Sequence, residues 1–141
     1  MSITDLVNHS YLTSESKGFH ENPEHENVGE KLMLITSELG EALEADRKGK
    51  KANLADFEER LALLNSSHNT SAYGPITPEI EEENFRKIFR IYIKDSFEDE
   101  IADATIRVGD LCGWKKIDLD KFVSLKMRYN RGREYKHGKA Y

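Results

Sequence analysis

At 141 residues, with 38% hydrophobic and 33% charged side chains, the chain can bury a core of its own, but a mean hydropathy of −0.70 suggests help from self-association. A net charge of −5 argues against a generic nucleic-acid binder; no stretch approaches membrane-spanning length, and the N-terminus lacks the order of a signal peptide. A cytoplasmic protein with neither membrane nor nucleic-acid partners is expected, and its single cysteine, Cys112, excludes an intrachain disulfide and a thiolate zinc cage.

Residues 3–16 read as a weakly amphipathic helix through Ile3, Leu6, Val7 and Tyr11, followed by a polar loop from Gly18 to Glu26. In that loop His20 and His25, among Glu21, Glu24 and Glu26, read as a solvated acidic turn rather than a metal cluster. Asn27 with Glu30 three residues on marks the start of a helix over 27–47, and Gly49 among lysines marks its end. A shorter helix over 53–64 uses Leu54, Phe57, Leu61 and Leu64, and Asn65 to Pro78 reads as an exposed loop. Residues 79–94 pair Glu82 with Arg86 and Glu83 with Lys87 on one face and set Phe85, Ile88, Phe89 and Tyr92 on another. Ser96 caps the next helix, which runs to Leu111 and stops at Gly113; Asp118 opens the last, through Leu119, Phe122, Val123 and Met127. Cys112, beside Leu111, reads as a small core residue, and Trp114 as a cover for the end of the bundle. Nothing reads as a β-strand, and the expected class is all-α, a bundle of four to five helices in one domain over 1–141.

Two short motifs carry the chemistry: Glu38-Leu-Gly-Glu41 and Glu100-Ile-Ala-Asp103. Acids at i and i+3 sit about 60° apart on one side of a helix. Val28, Leu32, Ile35, Leu39 and Leu43 form an apolar stripe on the first motif helix; Phe97, Ile101, Ala104, Val108 and Leu111 form one on the second. In each helix the acids lie to one side of the stripe, and Arg107 and Asp110 continue the second row. Helices packed through their stripes would bring two acidic edges to one cleft. Four carboxylates there need a positive partner, and a hard divalent cation such as Mg²⁺ suits oxygen ligands. Solvated helix surface is the plain alternative.

Charge is also unevenly spread. Residues 115–141 hold nine Lys or Arg against three acids, a surplus of +6 that leaves −11 on the rest. An acidic body with one basic tail suits a small polyanion whose metal-bound phosphates are neutralised from the other side.

The paired ExxE and ExxD motifs in helical surroundings resemble the MazG-like all-α nucleoside triphosphate pyrophosphohydrolases. Lys17-Gly18-Phe19 ahead of the first motif is similar too, as are Lys126-Met-Arg-Tyr-Asn130-Arg-Gly-Arg133 and Lys136-His-Gly-Lys139 after the second. The resemblance covers roughly residues 2–48 and 96–139. It departs in two places: Ser37 stands where the family often has a first glutamate, and 58 residues separate Glu41 from Glu100, so 49–95 reads as a long insertion.

The resemblance implies a Mg²⁺-dependent hydrolysis (Mn²⁺ as a substitute) of a nucleoside triphosphate at its α-phosphate, yielding monophosphate and pyrophosphate. Glu38, Glu41, Glu100 and Asp103 would be the metal ligands, Glu41 doubling as general base, and Lys126, Asn130 and Arg133 would contact the phosphates. Phe19 and its loop would wall the base pocket, and a homodimer or homotetramer would form. Two alternatives remain open at this point: a non-catalytic helical interaction protein, and a carboxylate-bridged iron or manganese bundle. Glu134-Tyr-Lys-His137 has the spacing of such a bundle, but it occurs once where two are needed.

Overall fold

The computed structural model describes residues 1–22, 24, 27–69 and 75–133, the side chains of 67–69 excepted. Among them are six α-helices and no strand: α1 Ile3–Ser16, α2 Val28–Arg47, α3 Leu54–Asn69, α4 Pro78–Tyr92, α5 Phe97–Trp114 and α6 Leu119–Arg131. The class is all-α, and the six helices fall where helical segments were read along the sequence, one more than the four-to-five-helix bundle expected. No helix among the described residues is long and apolar enough to cross a membrane. Two compact units can be told apart, Met1–Leu34 with Thr105–Tyr141, and Ile35–Ala104; both dividing points fall inside helices, α2 and α5.

In the first unit, α1 starts from a capping box. The Asp5 amide donates to Ser2 Oγ at 3.0 Å, and the Ser2 amide donates to Asp5 Oδ2 at 2.8 Å. The helix then approaches the second half of α5 very closely. A Cβ on Gly113 would collide with Cβ of Tyr11, and one on Gly109 would lie 2.8 Å from Ser10 Oγ. Gly113 is therefore not the terminator expected from the sequence but an interior contact. The helix ends beyond it, with Lys116 in the left-handed region (φ 54°) and the Ile117 amide closing on the Cys112 carbonyl at 2.9 Å. Asp118 caps α6 as expected, accepting from the Lys121 amide at 3.0 Å. Cys112 is buried, and desolvation pushes its thiol above the ordinary range.

In the second unit, the insertion is a helical hairpin with a fastened base. The Asn53 amide donates to the Tyr92 carbonyl at 2.9 Å, the Phe97 amide to the Lys50 carbonyl at 3.0 Å, and the Ala52 amide to Glu98 Oε2 at 2.8 Å. That last bond holds the Glu98 carboxyl below its usual range. Phe57 of α3 meets Phe85 and Phe89 of α4 edge-on, at ring distances of 5.7 and 6.4 Å. Each such pair adds about 0.5–1.5 kcal/mol beyond area burial. Asn84, buried on α4, donates to Asn65 Oδ1 at 2.9 Å, which draws Asn65 into α3. The helix consequently continues to Asn69 where an exposed loop had been expected; residues 70–74 of that loop lie outside the described residues.

The apolar stripes do not behave as the sequence suggested. Leu39 and Leu43 are 49% and 51% exposed, and Val28 and Leu32 are exposed as well. The buried positions of α2 are Glu38, Ala42 and Ala45, stepping by four and three. On α5 the buried positions of this unit are Glu100 and Ala104, with Ser96 just before the helix. Short alanine side chains leave room for carboxylates to turn inward, whereas leucine at those positions would fill the space.

Candidate metal centre

Local chemistry fixes both motif helices near the acids. After α2, Gly49 adopts φ 65°; its amide donates to the Asp46 carbonyl at 2.9 Å and the Lys50 amide to the Ala45 carbonyl at 2.8 Å, so the helix stops in a glycine C-cap. Ahead of α5, Ser96 Oγ accepts from the Asp99 amide at 3.2 Å, and Glu98, Asp99 and Glu100 occupy the first turn, where the helix dipole favours negative charge. The Lys50–Phe97 bond then holds the end of α2 to the start of α5.

From this base, one oxygen each of Glu38, Glu100 and Asp103 converge so that all lie within 4.8 Å of one another. Glu38 and Glu100 are 7% and 6% exposed, and Asp103 faces solvent. Glu41 is exposed and stands outside that trio. It is nevertheless close enough to act on it: burial first, then the charge of Glu41, and then those of Asp99, Glu38 and Asp103 push the Glu100 carboxyl above the usual carboxylate range. Three carboxylates, two of them withdrawn from water, form a hard-oxygen donor set of the kind a divalent cation takes. Glu38, Glu100 and Asp103 would hold such an ion through oxygen alone, the donor type that Mg²⁺ prefers.

A cavity of about 290 Å³ lies in the first unit, lined by Phe19, Asn22, Asn27, Lys31, Arg107 and Asp110 among others. Beside it is a network that sequence reasoning missed. His20 is not solvated: its side chain is 4% exposed and its Nε2 is 2.7 Å from Asp110 Oδ1. Lys31 Nζ donates to the other oxygen of Asp110 at 3.3 Å. The sequence carried no local signal for this pair, since His20 and Asp110 lie 90 residues apart. His25 and Glu26 lie outside the described residues.

Lys126 and Asn130 sit on the exposed surface of α6, with Arg133 just beyond its end. Lys126 Nζ and Arg133 Cζ lie 5.2 and 5.4 Å from the Tyr129 ring centroid, so both cations rest on that aromatic face. Residues 134–141, including the Lys136–Lys139 and Glu134–His137 motifs, fall outside the described residues. Trp114 closes α5 half-buried, with Lys115 Nζ 4.3 Å from its ring. Comparison of the chain with protein-family models, curated proteins and solved structures gives no match.

Proposed function

We propose that this chain is a Mg²⁺-dependent nucleoside triphosphate pyrophosphohydrolase of the MazG-like, all-α type, releasing nucleoside monophosphate and pyrophosphate. The observation that carries the proposal is the convergence of Glu38, Glu100 and Asp103 within 4.8 Å, drawn from two motifs 58 residues apart, with two of the three carboxylates buried. Burial of two carboxylates costs desolvation, which a bound divalent cation would offset.

In this reading Glu38, Glu100 and Asp103 would hold the cation, and Glu41 would be the fourth ligand. Bound Mg²⁺ supplies Lewis-acid polarisation of phosphate oxygens and acidifies water. Glu41, the solvent-facing carboxylate, takes the proton from the water whose oxygen bonds to the α-phosphorus. The bond from that phosphorus to its bridging oxygen breaks, and pyrophosphate leaves with the electron pair. Lys126, Asn130 and Arg133 offer donors that stabilise the added negative charge. As the resemblance implies, Phe19 and its loop would wall the base pocket. Mn²⁺ would substitute for Mg²⁺, because both prefer carboxylate oxygen.

The exposed Leu39 and Leu43 support assembly as a homodimer or homotetramer, since both otherwise leave apolar surface in water. The expected setting is cytoplasmic, without nucleic-acid partners. The test is incubation of purified protein with Mg²⁺ or Mn²⁺ and each ribo- and deoxynucleoside triphosphate, measuring pyrophosphate and monophosphate. Stoichiometric release of both from at least one nucleotide is expected. No turnover of any nucleotide with either metal would reject the proposal in favour of a non-catalytic helical interaction protein.

A further inference from the structure

We propose that His20 is a positioning residue, tethering the segment that carries Phe19 and Asn22 so that both stay in place as walls of the cavity in the first unit. Past Gly18 (φ 83°) the chain leaves α1, and among the described residues the backbone bonds of this turn are local: Gly18 to Glu15, Phe19 to Ser14, and Glu21 to Gly18. Such bonds shape a turn without fixing it against another helix. The His20 side chain makes the long reach. Its Nε2 lies 2.7 Å from Asp110 Oδ1 on α5, 90 residues away, and its ring lies 4.8 Å from that of Tyr11 on α1. Asp110 is held from its other oxygen by Lys31 of α2, so one carboxylate joins the turn, α2 and α5. Phe19 is 72% exposed and has little packing of its own to hold it, yet it lines the cavity together with Asn22, two residues beyond His20. The position of both therefore follows from the ring between them.

The inference rests on the cavity being the base pocket of the proposed hydrolase, and its test separates the two ideas. Hydrogen exchange is measured across Gly18–Asn22 in the wild type, His20→Phe and Phe19→Ala, alongside kcat and KM for whichever nucleoside triphosphate is turned over fastest. His20→Phe keeps a ring against Tyr11 but loses the bond. It should speed exchange of these amides about tenfold or more while the helices keep their protection, and raise KM about tenfold with kcat nearly unchanged. Phe19→Ala removes an exposed ring, so the fold is safe. It should raise KM similarly while exchange of the segment stays slow. Unchanged exchange in His20→Phe, or release of the segment in Phe19→Ala, overturns the inference. Should His20→Phe fail to fold, the Phe19→Ala exchange result decides on its own. Should no nucleotide be turned over, the exchange measurements still judge the tether, and the failure belongs to the proposed activity.

Discussion

Replacing Glu100 by Gln removes one charge from a cluster whose oxygens lie within 4.8 Å of one another. Two unit charges at such a separation repel by about 3 kcal/mol at an effective dielectric of ~20. Solvent around exposed Asp103 screens part of this, and Gln keeps the volume, so the metal-free variant should gain about 1–2 kcal/mol over wild type near neutral pH and above. For a chain of this length that corresponds to a rise in Tm of roughly 3–6 °C. The pH dependence has a definite sign. Burial and neighbouring acids hold the Glu100 carboxyl above its unfolded-state value. Folding therefore favours the protonated form, and wild type loses stability as pH rises from the ordinary carboxylate range through the raised folded-state value. The variant lacks this loss, so the gap between the two should widen as pH rises and close as it falls back into the ordinary carboxylate range. Saturating Mg²⁺ should reverse the order, because wild type gains about 2.7 kcal/mol at a hundredfold excess over Kd and the variant gains much less. Calorimetric scans of both proteins, across pH and with and without Mg²⁺, measure all of this. A variant less stable than wild type at every pH without metal, with Mg²⁺ stabilising both equally, would refute the reasoning.

Other variants test separate parts of the structure. Glu41→Gln should fold normally yet lower turnover at least about a hundredfold, since a metal-edge carboxylate and the base are lost together; near-normal activity in a pyrophosphate assay would remove Glu41 from the site. Gly113→Ala should cost about 1–3 kcal/mol, because its Cβ would meet Cβ of Tyr11, an atom fixed to backbone. Gly40→Ala, with nothing within 4 Å of the added atom, should instead gain about 0.5–1 kcal/mol from helix propensity; urea unfolding of the two compares them directly. Arg133→Ala should raise KM or slow turnover while calorimetry with Mg²⁺ alone still shows the wild-type heat.

Helix boundaries were legible wherever a local device set them. Asn27 accepts from the Gly29 amide at 2.7 Å, Gly49 ends α2, Ser96 opens α5 and Asp118 opens α6, all as read from the sequence. Tertiary contacts defeated the reading elsewhere. The Asn84–Asn65 bond carried α3 through a polar stretch that resembled a loop, and the approach of Tyr11 made Gly113 an interior residue. The acidic motifs were legible as a pair, and three of their four carboxylates converge. Their orientation was not, because periodicity alone ranks leucine inward and cannot show that Ala42, Ala45 and Ala104 leave space for acids while Leu39 and Leu43 stay outside. His20 was misread because its partner, Asp110, lies 90 residues away, beyond any local pattern.

The central claim is that Glu38, Glu100 and Asp103 hold a divalent cation, and titration with Mn²⁺ followed by electron paramagnetic resonance tests it most directly. Wild type should take up Mn²⁺ and release it to excess Mg²⁺, while a Glu38→Gln/Glu100→Gln double variant that keeps its helical signal should bind at least about a hundredfold more weakly. Equal Mn²⁺ binding by the two proteins, or none by wild type, would contradict the account.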